Sequence, residues 1–190
     1  MAESKKSDLE TKAAPLSSFK ERLADLLTLS RGVIGLVILS LSFIGKDAYL
    51  TVVILALVGA ATDIFDGKVA RRYLKNRESK LGKYDVETDT LFVLCIIAYF
   101  SLSGIVVPGV VGLTWVGLAL VAVILSKRAP KVLLMFEIPS VLAILTITGI
   151  YDFNIFISII LPVFFTGVII NCKRVIYLVF EYFPRVFSGG

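Results

Sequence analysis

The sequence contains no histidine, and that absence narrows the chemistry at once. A zinc site of the His/Cys type lacks the ligands to form. Cysteine is scarce too: Cys95 and Cys172 are the only two and show no metal or redox spacing. Both read as inert thiols buried in apolar surroundings. Charge is the third shortage. Charged residues are 18% of the 190-residue chain and hydrophobic residues 57%, too apolar for an ordinary soluble domain. The basic residues flank apolar runs and form no soluble face, which argues against a nucleic-acid-binding surface. The first sixteen residues are polar and no cleavage pattern follows them, so no secretory leader is expected.

Apolar length is what the chain has. Several runs approach twenty residues, the length a helix needs to cross a bilayer. The expectation is an all-α integral membrane protein with six transmembrane helices and a short N-terminal interfacial helix. Residues 1–16 are polar and expected to be disordered. One domain spans 17–183, with a tail over 184–190. Ser18-Phe19-Lys20-Glu21 has capping-box form, and Phe19, Leu23, Leu26 and Leu27 follow helical spacing. This segment is either a helix lying in the interface or the first turn of a long span. The spans fall at about 29–44, 48–65, 85–102, 107–126, 132–150 and 153–172. Pro139 and Pro162 sit inside the fifth and sixth, where they either kink the helix and open a cavity or are simply tolerated. Tyr177, Phe180, Tyr182 and Phe183 resemble an interfacial aromatic belt.

Lysine and arginine set the orientation. Nineteen of the twenty fall on one side of this arrangement, and only Lys46 lies opposite. Both termini and the turn between spans two and three are therefore expected at the cytoplasmic face.

That turn carries the chemistry. Asp63-Ile-Phe-Asp66-Gly67-Lys-Val-Ala70-Arg71 ends the second span, and Gly82-Lys-Tyr-Asp85-Val-Glu-Thr-Asp89 begins the third. Asp63 and Asp66 are i, i+3; Asp85 and Asp89 are i, i+4. On a helix each pair shares a face, so two helix ends can present four carboxylates toward one point. An Asp at the centre of a spanning helix costs about 2.5–3.5 kcal/mol, against about 0.3–0.6 kcal/mol returned by a Leu. Four converging carboxylates also repel one another. Two divalent cations balance that charge, and Mg²⁺ or Mn²⁺ suits an all-carboxylate ligand set. The competing reading pairs these acids with Lys68, Arg71, Arg72 and Lys83 in a hydrated loop.

The order Asp-x-x-Asp-Gly-x-x-Ala-Arg, then Gly, then Asp-x-x-x-Asp resembles the signature of the CDP-alcohol phosphotransferases, membrane enzymes that make phospholipids from a CDP-linked donor and an alcohol. Asp25-Leu-Leu-Thr28-Leu-Ser-Arg31 looks like that family's first-helix Asn-x-x-Thr-x-x-Arg pattern, with Asp in the Asn place. The resemblance covers most of the chain. It implies that Asp63, Asp66 and Asp85 ligate two metals, and that Asp89 contacts the second metal and takes the acceptor hydroxyl proton. It further implies that Gly67 and Ala70 let the cytidine lie against the helix and that Arg71 meets the donor phosphates. The donor implied is CDP-diacylglycerol or an archaeal ether analogue, its tails entering laterally between helices, and the acceptor is a polar alcohol or alcohol phosphate. A homodimer is expected from the resemblance alone.

The chain departs from the family pattern in one place. Gly82 precedes Asp85 by two intervening residues where the family has three, and Leu81 stands at the usual Gly position. Either Gly82 makes the same turn one place later, or the chain is an inactive relative acting as transporter or scaffold. An Asp-rich-motif membrane prenyltransferase is the other alternative, although such enzymes lack the Gly-x-x-Ala-Arg continuation. A phosphorylated acceptor would need extra cations, for which Arg31, Lys127, Arg128 and Lys131 are candidates.

Overall fold

The computed structural model describes residues 25–73, 85–126 and 130–170, with side chains for 25–62, 87–126 and 132–169. These residues are helical throughout, apart from short turns, and contain no strand. Helix α1 covers 25–40 and tightens into 3₁₀ turns at Leu41–Phe43 and Gly45–Ala48. Gly45, at φ +79°, supplies the left-handed residue of this connection, a conformation that costs glycine little. Then follow α2 (Tyr49–Tyr73), α3 (Asp85–Leu102), α4 (Gly109–Leu125) and α5 (Pro130–Tyr151). Helix α6, residues 153–170, begins with Phe153–Ile155, widens into a π-helical segment at Phe156–Ile160 and resumes as Leu161–Ile170. Asp152 caps it, its carboxylate accepting from the Ile155 amide at 3.0 Å.

Among the described residues, three stretches are long and apolar enough to cross a bilayer: Asp25–Phe43, Gly45–Thr62 and Val132–Tyr151. Gly109–Leu125 and Phe153–Ile169 are apolar but shorter, and α3 opens on the acids Asp85, Glu87 and Asp89. Helix α1 shows what surrounds the protein. Thr28 and Arg31 are buried while Leu26, Leu29, Val33 and Leu36 are each more than half exposed. Polar inside and apolar outside is the pattern of a helix whose solvent is lipid.

Helix α3 is the axis of the assembly. Residues 92–101 are buried without interruption, and α4 and α5 pack along it. Near its start, Phe92 lies between two glycines. A Cβ on Gly35 of α1 would stand 3.5 Å from the Phe92 Cα, and a Cβ on Gly59 of α2 would collide with the Phe92 ring. Small residues of this kind let membrane helices approach closely, where dispersion contacts drive association. Toward the other end, the Tyr99 hydroxyl donates to the Gly45 carbonyl at 2.9 Å. Between α4 and α5, the Trp115 indole donates to Ser140 Oγ at 2.9 Å, and Ser140 donates to the Phe136 carbonyl at 2.7 Å.

Two helices run beyond the apolar spans read from the sequence. The second helix does not stop at Phe65 but continues to Tyr73, so the whole Asp63–Arg71 signature is helical. The fifth begins at Pro130, where proline's fixed φ suits a first helical turn, and it passes through Pro139 as one helix. From Asp25 onward α1 is continuous; Ser18–Glu21, the start of the expected interfacial helix, lies outside the described residues, as do residues 1–16, Cys172 and the aromatic tail.

The Phe92 contact makes a test. Gly59→Ala drives a methyl into a ring that Gly35 hems in from the other side, an overpacking worth about 1–3 kcal/mol. Gly117→Ala, with nothing within 4 Å of the added carbon, is the neutral control. Thermal melts in detergent should show a lower Tm for the first and an unchanged or slightly raised one for the second, where Ala favours the helix.

Candidate active site

The site is assembled where α1, α2 and α3 converge. Asp63, Asp66, Gly67, Ala70 and Arg71 all stand on the last turns of α2, and Asp85 is the first residue of α3. Helical backbone under both stretches keeps Asp63 and Asp66 at i, i+3 and Asp85 and Asp89 at i, i+4, the register expected from their spacing. The side chains of Asp63, Asp66, Ala70, Arg71 and Asp85 lie outside those described, as do Lys131 and the whole of Gly82, Lys127 and Arg128. Among the described residues no three acids, cysteines or histidines gather into a metal-binding group; Asp89 is the one signature carboxylate among the described side chains.

Asp89 is ion-paired with Arg31: Nη1 of the guanidinium donates to Oδ1 of the carboxylate across 58 residues of sequence. The two ends of this pair differ in setting. The Arg31 side chain is 1% exposed and that of Asp89 24%. A buried charge is tolerable only when paired, and removing one member of such a pair costs about 3–5 kcal/mol. The pair forms because α1 can come close. A Cβ on Gly32 would lie 3.8 Å from Thr88 Cγ2, and Gly35 sits one turn further along against Phe92. Thr28, one turn before Arg31, and Thr90, next to Asp89, are buried beside the pair. Glu137 of α5 is half-buried and already engaged.

Below this polar end runs an apolar cavity of about 460 Å³ between α2, α3, α5 and α6. Its α2 wall runs from Val52 to Ala61 and its α3 wall from Phe92 to Phe100. Ala61 is two residues from Asp63 and Phe92 three from Asp89, so cavity and signature are less than one turn apart on each helix. Thr148 is the hydroxyl-bearing residue in the lining, and its Oγ1 donates to the Ile144 and Leu145 carbonyls of its own helix. The wall therefore offers a ligand almost nothing polar. Its volume falls in the range of about 300–1,000 Å³ seen for small-molecule sites.

The arrangement sets an ion pair beside an apolar cavity. Residues 21–178 match the CDP-alcohol phosphatidyltransferase family, and the chain belongs to that family of membrane-embedded transferases, which move a phospholipid head group from a CDP-alcohol. Neither the curated proteins nor the solved structures give a match.

Two residues of the site are not assigned by sequence alone. In sequence, Arg31 matches the family's first-helix pattern and is a candidate ligand for a phosphorylated acceptor or an orientation signal, but nothing there pairs it with Asp89. A signal exists in the i, i+3, i+6 placement of Asp25, Thr28 and Arg31, a polar strip on an otherwise apolar helix. Phe92 carries no signal, since its two glycine partners belong to other helices.

Proposed function

We propose that this protein displaces CMP from a CDP-linked lipid, CDP-diacylglycerol or an archaeal ether analogue, by attack of the hydroxyl of a polar alcohol or alcohol phosphate. The observation that carries this reading is the juxtaposition at α3. The Asp89 carboxylate, ion-paired with Arg31 and about a quarter exposed, stands less than one turn along α3 from the wall of the apolar cavity. A substrate with a charged diphosphate joined to hydrocarbon fits that boundary, with its tail entering laterally between α2, α5 and α6.

The signature residues take their roles from the family. Asp63, Asp66, Asp85 and Asp89 are all oxygen donors in a chain without histidine, a set that fits two Mg²⁺ or Mn²⁺ ions. When bound, such ions offset the negative charge that develops on the departing CMP. Gly67 and Ala70 have no bulk to keep the cytidine off the helix, and Arg71 pairs with the donor phosphates. The acceptor oxygen bonds to the lipid-bearing phosphorus, the bond from that phosphorus to CMP breaks, and Asp89 takes the hydroxyl proton. The basic residues of 68–83 raise the local concentration of the anionic head group at the cytoplasmic face.

CMP release from CDP-lipids, screened over a panel of alcohols with the products identified by mass spectrometry, tests the reading. Asp66→Asn should abolish release without loss of expression, Asp89→Asn should abolish it with a lowered Tm because buried Arg31 loses its counter-charge, and chelation should silence the wild type until Mg²⁺ or Mn²⁺ is restored. Wild-type turnover in either variant refutes the assigned roles. For the tail, Ala56→Phe narrows the cavity at mid-depth. KM for a long-chain donor should rise roughly tenfold, the worth of about two methylenes at ~0.8 kcal/mol each, while a short-chain donor is turned over as before.

A further inference from the structure

We propose that Arg31 is a positioning residue: it holds the Asp89 carboxylate from behind and fixes which way it faces. The inference rests on the reading of Asp89 as a group that meets the substrate, and it assigns a task to a residue of α1, outside the α2–α3 signature.

Burial and reach are the first observations. Cations that only orient a membrane helix lie near its ends and extend toward water. The Arg31 side chain is 1% exposed. It reaches sideways to α3 and bonds Asp89 Oδ1. The same facts argue against a role as ligand for an acceptor phosphate, which would first have to displace the carboxylate from a sealed guanidinium.

Enforced proximity is the second. Gly32 and Gly35 bring the α1 backbone against Thr88 and Phe92, on either side of Asp89 in sequence. That approach leaves the guanidinium little room to swing away. A guanidinium also keeps its charge at any working pH and presents its donors in a planar fork, so the hold is constant. Asymmetry is the third. One member of the pair is closed off and the other about a quarter exposed, so the hold on Oδ1 comes from the protein interior.

The test uses the full chain in detergent or nanodiscs, with CMP release and thermal melts measured on Arg31→Met, Arg31→Lys, Asp89→Asn and the Arg31→Met/Asp89→Asn double variant. We expect Arg31→Met to lower kcat by about a hundredfold, as misplacing a reacting group does, with KM for donor and acceptor within about twofold. Arg31→Lys should recover part of kcat, because an ammonium can hold one oxygen without the fork. The Tm losses of the single variants should be non-additive in the double variant, as for two groups in contact. A normal kcat in Arg31→Met beside an inactive Asp89→Asn overturns the positioning role and leaves the Asp89 reading standing. A raised acceptor KM at unchanged kcat overturns it in favour of acceptor binding. Should Arg31→Met fail to fold, Arg31→Lys decides: wild-type Tm with reduced kcat supports positioning, and wild-type Tm with full kcat and no coupling to Asp89 refutes it. An active Asp89→Asn would instead bring down the catalytic reading on which the inference rests.

Discussion

Hydrocarbon offers a charge no solvent. An arginine buried in a membrane helix must find its counter-charge inside the protein, and here it finds it on a helix 58 residues away. The ion pair between Arg31 and Asp89 is possible only at short range, and that range is set by residues with almost no side chain. Gly32 and Gly35 bring α1 to α3, and Gly59 admits the Phe92 ring from the α2 side. Each of the three helices that meet at the site thus contributes to one contact region, with a polar layer at Asp89 and an apolar one a turn away at Phe92. The separation of charged head from apolar cavity depends on that layering.

Helix α3 carries both layers. Its first turns bear acids, its middle is buried on every face, and its far end is tied to the α1–α2 connection by the Tyr99 hydroxyl. A helix anchored near both ends makes a fixed reference for groups on its neighbours. The cavity borders α3 along most of its buried length, so the acids at its start and the cavity are registered against a single element. That arrangement suits a reaction whose charged centre must be held still while a flexible chain is accommodated.

The parts legible in the sequence are those written locally. The bounds of α3, 85–102, are readable because a cluster of acids marks its start and Gly104 its end. The register of Asp63, Asp66, Asp85 and Asp89 is readable because their spacing matches a helix. Helix α2 outruns its span for a physical reason: the apolar run ends at Phe65, but Ala70, Arg71 and Arg72 readily continue a helix. Hydropathy registers where lipid stops, which is not where hydrogen bonding stops. The Arg31–Asp89 pair and the cavity between four helices are invisible because they depend on which helices are neighbours. No stretch of local sequence encodes that for α1 and α3, or for α2 and α6.

The wide turn at Phe156–Ile160 has a geometric consequence. After it, Ile160, Val163, Phe164, Gly167 and Val168 recur at the spacing of a single helical stripe, and all five line the cavity. Pro162 supplies no amide to the carbonyl four residues earlier, which lies within that turn. The looser coil thus sets the phase of everything downstream. Dropping one residue from it would turn the later stripe by about 100°, one residue's share of a 3.6-residue turn. Ile160 to Val168 would then face away from the cavity and a different row of side chains would form its fourth wall. The angular setting of α6, as much as the identity of its residues, determines what the pocket can hold.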